Sequence, residues 1–205
     1  MRFSRNIEKI NMSKTAEVAD LALSLKEQGH KIVNMATGEL SFKPDASVRK
    51  AACITINKGE TLYTQVAGLN ELRNVISAKL KKDLKIEYKC DEIIVSNGGK
   101  QVIYNALQST INRGDEVIII SPYWVSYPEI IKLCGGRPKV LNTNRQEGFS
   151  INTEKLEKLI TSKTKWIILN SPNNPTGVVY SPETIKKLVL VLRKYPNIWI
   201  LSDEI

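Results

Sequence analysis

A chain of 205 residues, 42% hydrophobic and 25% charged, carries enough apolar surface for one buried domain or a domain and part of another, which excludes a mostly disordered chain. Thirty Lys and Arg against 21 Asp and Glu leave a net charge of +9, but the basic residues scatter through amphipathic helices. The densest group, Lys79, Lys81, Lys82 and Lys85, has none of the interleaved aromatics of a single-strand nucleic-acid binder, so no nucleic-acid partner is expected. Three distant cysteines, Cys53, Cys90 and Cys134, and one histidine, His30, argue against a metal or disulfide framework. The first residues, Met1 to Asn6, lack an apolar signal core, and no apolar run approaches the roughly 20 residues of a membrane span. A cytoplasmic location and no membrane partner are the expectations.

Taken in chain order, Ser13 to Gly29 predicts a helix, with Val18, Leu21 and Leu25 on one stripe and Gly29 as its stop. A short strand is expected at Ile32-Val33-Asn34-Met35, followed by an irregular crossing loop from Thr37 to Pro44. Beyond Asp45, helices alternate with β-rich runs at Ile93–Ser96, Val117–Ser121, Trp166–Asn170 and Ile198–Ser202. These runs are apolar nearly throughout, the pattern of strands covered on both faces. Ser181 and Pro182 open a helix whose apolar positions are Ile185, Leu188, Val189 and Leu192. The expected fold class is α/β, a mostly parallel sheet with helices on both faces. The chain stops at Asp203-Glu204-Ile205, directly after a buried run, and is read as incomplete.

Open parallel sheets bind ligands beyond the carboxyl ends of their strands, so the residues that follow each run carry the functional reading. After Ile93–Ser96 comes Asn97-Gly98-Gly99-Lys100-Gln101, opening a helix whose first-turn amides and dipole suit a phosphate, although such a Gly-Gly turn is more often plain turn chemistry. After Ile118–Ser121 comes Pro122-Tyr123-Trp124-Val125-Ser126-Tyr127-Pro128, in which Trp124 is either one wall of a flat-ring site or a loop aromatic folded onto the core. After Leu169 comes Asn170-Ser171-Pro172-Asn173-Asn174-Pro175-Thr176-Gly177, a stiff loop whose doubled asparagine a general turn leaves unexplained. Asp203 puts a carboxylate at the end of an apolar strand, where it needs a cation or strong donors unless it caps a following helix.

These strings, with Tyr63-Thr64, Gly68-Leu69, Leu72-Arg73, Gly114-Asp115-Glu116-Val117 and Ser202-Asp203-Glu204, resemble in order and spacing the bacterial class I aspartate aminotransferases, which depend on pyridoxal phosphate. The resemblance runs essentially the whole chain and corresponds to the N-terminal half of that family. It implies that Gly99, Lys100 and Gln101 sit in the phosphate cup, that Trp124 stacks on the pyridine ring, that Asn174 donates to the phenolate oxygen and that Asp203 pairs with the pyridine nitrogen. An ionised carboxylate there keeps the nitrogen protonated, so the ring can accept electrons from the substrate α-carbon. It further implies that Gly38 offers a backbone contact to substrate, that Trp124 and Asn174 contact the substrate as well as the cofactor, that Tyr63 reaches a neighbouring subunit's phosphate in a homodimer, and that Lys100 and Thr15 help recognise an acidic substrate side chain.

The domains expected on this basis are residues 1–44, an N-terminal segment with part of a small domain, and residues 45–205, the first part of a large cofactor-binding domain. The implied activity is reversible amino-group transfer between an amino acid, aspartate or glutamate, and a 2-oxo acid. The sequence departs from the family pattern at Gly38-Glu39-Leu40-Ser41-Phe42, where a proline is lost, and at Met12-Ser13-Lys14-Thr15. The family's Schiff-base lysine and substrate-carboxylate arginine have no counterpart, so no catalytic residue is assigned and the chain alone is expected to be inactive. Alternatives are a non-catalytic product of a split or decayed gene, and an aminotransferase for aromatic or other amino acids.

Overall fold

The structure, a computed structural model, describes residues 4, 7–36 and 38–204. Thr37 of the expected crossing loop, Met1–Phe3, Arg5 and Asn6 of the N-terminal stretch, and Ile205 lie outside the described residues. The chain groups into two compact units, residues 1–17 with 103–205 and residues 18–102.

The first unit is built on four parallel strands, β1 (Glu116–Ser121), β2 (Arg137–Asn142), β3 (Thr164–Asn170) and β4 (Trp199–Asp203), in the order β2-β1-β3-β4. Val117 to Ile120 are all buried, and alternate residues serve opposite faces. Val117, Ile119, Trp166 and Ile168 pack with Ile103 and Leu107 of helix α4 (Gly99–Thr110) and with Tyr127, Ile130 and Ile131 of α5 (Ser126–Leu133). On the opposite face, Ile118, Ile120 and Ile167 pack with Leu156 of α6 (Thr153–Leu159) and Leu188, Val191 and Leu192 of α7 (Pro182–Leu192). Helices on both faces explain why β1 and β3 read as unbroken apolar runs. The run before Asp203 was expected to be buried as well, but β4 lies at the edge of this sheet and exposes Trp199 (56%) and Ile200 (51%). Helix α7 starts as its sequence dictates, with the Ser181 hydroxyl accepting from the Thr184 N–H at 3.1 Å and proline in the first turn.

Two expected strands are not ladder strands. Ile93–Ser96 follows a 3-10 turn as extended chain, and Ile32–Met35 has no partner strand among the described residues, with Val33 and Met35 almost fully exposed. β2 was not expected. Its sequence, Arg-Pro-Lys-Val-Leu-Asn, buries only Leu141, and it pairs as an edge strand, the position in a sheet that accepts Pro138.

The second unit contains α2 (Ala46–Asn57) and α3 (Asn70–Leu84), together with most of α1 (Lys14–Glu27) and the start of α4. Arg73 of α3 donates from Nε to the Ile93 carbonyl at 2.9 Å and from its terminal nitrogen to the Cys90 carbonyl. These bonds hold the 90–95 segment to the helix. At Gly68, φ is +100° and an added Cβ would lie 2.8 Å from the Val95 Cβ, so the tight approach of these two loops requires glycine.

Candidate active site at the strand ends

β1, β3 and β4 deliver Trp124, Asn174 and Asp203 from their carboxyl ends, and three buried residues fix them there. Asn170 closes β3 and is 4% exposed. Its Nδ2 donates to the Asp203 carbonyl at 3.0 Å, and its Oδ1 accepts the Asn174 N–H at 2.6 Å. One amide therefore ties together the backbones of two residues that lie on different segments. The Asp203 carbonyl also accepts the Ser171 N–H at 3.1 Å.

Asn173, also buried, ties the loop after β3 to the loop after β1, since its Nδ2 donates to the Pro122 carbonyl at 3.2 Å. Its Oδ1 accepts from the Thr176 N–H at 3.1 Å and from the Thr176 hydroxyl at 2.7 Å. The backbone closes on itself through Gly177 N–H to Asn173 O at 2.7 Å and Asn173 N–H to Val178 O at 2.9 Å. The doubled asparagine thus has two jobs. Asn173 is spent on the loop, while Asn174 is exposed and its side chain bonds to no described residue. The Ser121-Pro122, Ser171-Pro172 and Asn174-Pro175 peptides are cis.

Tyr127, 2% exposed on α5, is the third fixed residue, and sequence reasoning gave it no role. Its ring meets Trp124 edge to face, with centroids 5.4 Å apart and planes at 85°. Its hydroxyl donates to Oδ2 of Asp203 across 76 positions of sequence. Burial first, and then the Asp203 carboxylate, push the Tyr127 phenol far above its ordinary value, so it stays a neutral donor. Asp203 is half-buried, and Trp124 is half-buried against the core, so the aromatic reads both as packed residue and as exposed wall.

The set suits a flat, polar ring. An aromatic wall, an amide donor and a carboxylate with one oxygen committed to Tyr127 offer a stacking face, a partner for an anionic ring oxygen and an acceptor for a ring N–H. Thr15 lies exposed in the first turn of α1, on the N-terminal segment of the same unit. That segment is held by the Asn11 N–H, which donates to Glu129 Oε2 at 3.0 Å. Burial raises the Glu129 carboxyl, but its bonds to Lys132 and Asn11 outweigh this and hold it below the usual carboxylate range.

The other expected residues belong to the second unit. Gly99, Lys100 and Gln101 form the exposed first turn of α4, where Gln101 Oε1 accepts the Asn97 N–H at 2.8 Å and closes the turn. Tyr63 is fully exposed, and Gly38 lies on an exposed stretch without regular structure.

Comparison with known proteins agrees with this architecture. The chain is 45% identical over 202 residues to a protein of Rickettsia bellii named as a probable aspartate/prephenate aminotransferase, covering 98% of this chain and 51% of the relative. It is 42% identical over 204 residues to the aspartate/prephenate aminotransferase of Nitrosomonas europaea, covering 100% and 51%. The solved aspartate aminotransferase of Thermus thermophilus with maleate superposes with a TM-score of 0.95 at 38% identity, covering 100% of this chain and 54% of that one. The chain thus spans about half the length of the relatives it matches. With the family model for class I and II aminotransferases matching residues 30–205, the chain belongs to that pyridoxal-phosphate-dependent family.

Proposed function

We propose that the protein carrying this chain transfers an amino group reversibly between a dicarboxylic amino acid, aspartate or glutamate, and a 2-oxo acid, with pyridoxal 5′-phosphate as cofactor. The observation that carries the proposal is the cross-linking of three strand ends, through Tyr127 and Asn170, around a carboxylate that keeps one oxygen open. When bound, the cofactor supplies an electron sink for the substrate α-carbon.

In this reading Asp203 accepts the ring N–H and holds that proton in place, Trp124 covers one ring face and excludes water from it, and Asn174 donates to the ring oxygen. For the second unit the reading keeps the assignments of the family. Gly99, Lys100 and Gln101 hold the phosphate, Gly38 contacts the substrate, and Tyr63 serves a neighbouring subunit in a homodimer. Lys100 and Thr15 favour an acidic substrate side chain, because a cation in a partly dry pocket prefers a carboxylate to an apolar group. The division into residues 1–44 and 45–205 and a cytoplasmic location belong to the same reading. Among the described residues no helix is long and apolar enough to cross a membrane.

No lysine follows Asp203 in these 205 residues. The chain is therefore assigned cofactor electronics, and α-proton transfer is assigned to none of its residues. Mixed with pyridoxal phosphate, aspartate and 2-oxoglutarate, the 205-residue chain is expected to give no turnover above free cofactor. Robust turnover that is lost on Asp203→Ala would overturn that assignment. In a reconstituted full-length enzyme, Lys100→Ser should lower kcat/KM for aspartate more than for an aromatic amino acid; equal losses would remove the dicarboxylic reading. The names of the relatives favour prephenate as a 2-oxo acid acceptor, which a direct comparison of prephenate with 2-oxoglutarate tests.

A further inference from the structure

We propose that Tyr127 is a positioning residue for the ring-nitrogen partner: its hydroxyl holds Oδ2 of Asp203 so that Oδ1 alone is presented to the cofactor ring. The inference rests on the reading of Asp203 given above and adds a residue that reading does not contain. Three observations support it. Tyr127 is 2% exposed, so its hydroxyl is shielded from solvent that would compete for the carboxylate. Oδ1 of Asp203 accepts from no described residue, which leaves one oxygen fixed and one available. The same tyrosine ring braces Trp124 edge-on at 5.4 Å, so one side chain sets both the stacking wall and the carboxylate.

A carboxylate at the end of a strand rotates about χ2 at little cost, because that torsion is broad. The Asp203 backbone is already fixed through Asn170 and Ser171, so this rotation is the remaining freedom of the group. A buried phenol donating to one oxygen removes it, and because the phenol stays protonated it does so as a neutral donor and not as a second anion. Its distance of 76 residues in sequence means that α5 and β4 must both be in place before the carboxylate is aimed.

The test uses pyridoxamine 5′-phosphate, which binds without a lysine, and reads affinity by calorimetry and the Tyr127 hydroxyl proton by NMR. In the purified protein the hydroxyl proton, assigned through its contacts to the Tyr127 ring protons, is expected in slow exchange and should move upfield in Asp203→Asn. Tyr127→Phe keeps the ring against Trp124 and should weaken binding about tenfold, the amount carried by one hydrogen bond to a charged group. In an Asp203→Asn background the same change should cost nothing further. Additive losses in the double variant would show that the Tyr127 hydroxyl acts independently of Asp203 and would overturn the inference. So would a hydroxyl proton indifferent to Asp203→Asn, a result that needs no Tyr127 variant to fold and leaves the cofactor reading standing. A hydroxyl proton that responds to Asp203 in a protein with no affinity for pyridoxamine phosphate would instead refute the cofactor reading, and with it the role of Tyr127.

Discussion

Replacing Asn170 with alanine should damage stability and cofactor affinity together, because this amide joins the backbones of Asn174 and Asp203. In the native fold its Oδ1 is the hydrogen-bond partner of the Asn174 N–H at 2.6 Å, and its Nδ2 serves the Asp203 carbonyl at 3.0 Å. The two losses are unequal. The Asp203 carbonyl keeps the Ser171 N–H, so it forfeits one bond worth about 1 kcal/mol, whereas the Asn174 N–H is orphaned at a cost of about 1–3 kcal/mol. The sum is about 2–4 kcal/mol, read as a shift of the urea midpoint at constant slope. Asn170→Asp should not rescue it, since the acid keeps the acceptor, loses the donor and adds a buried charge at a position 4% exposed. Affinity for pyridoxamine 5′-phosphate should fall in parallel, because two ring contacts lose their common anchor. A stability loss below about 0.5 kcal/mol with unchanged affinity would refute the idea that Asn170 holds the site.

Gly68→Ala should destabilise the protein by about 1–3 kcal/mol, since an L-residue is strained at φ +100° and its Cβ would meet Val95 at 2.8 Å; an unchanged melting temperature would contradict this. Leu188→Ala, at 1% exposure between α7 and the sheet, should cost about 2–5 kcal/mol in denaturant unfolding. Burial and then Asp203 raise the Tyr127 phenol above its ordinary value of 10.0. Its contribution is therefore fully present below about pH 10 and is lost as pH rises beyond it, so Tyr127→Phe should flatten the alkaline limb of the stability profile.

The parts of the fold that sequence made legible are those whose burial is two-sided. β1 and β3 read as unbroken apolar runs because helices cover both faces, and α7 carries its own start signal in Ser181-Pro182. Ile93–Ser96 has the same apolar composition but no ladder, its Val95 N–H bonding the Ala67 carbonyl at 2.9 Å. Composition does not distinguish a paired strand from an extended segment pinned by loops. β2 was hidden for the opposite reason, as an edge strand needs little apolar surface.

At the site, Asn173 and Asn174 are adjacent and chemically identical, and only the tertiary bonds to Pro122 and Thr176 separate the loop's structural amide from the exposed one. Tyr127 left no local signal. It stands in the same aromatic string as Trp124, and its partner is a carboxylate 76 residues away that only sheet closure brings to it.

The central claim, that Trp124, Asn174 and Asp203 form one ring site, is tested most directly by a crystal structure of the protein with pyridoxamine 5′-phosphate. The ring is expected to stack on Trp124, with its nitrogen hydrogen-bonded to Oδ1 of Asp203 and its oxygen to the Asn174 amide. A ring bound elsewhere, or one whose nitrogen faces away from Asp203, would contradict the account.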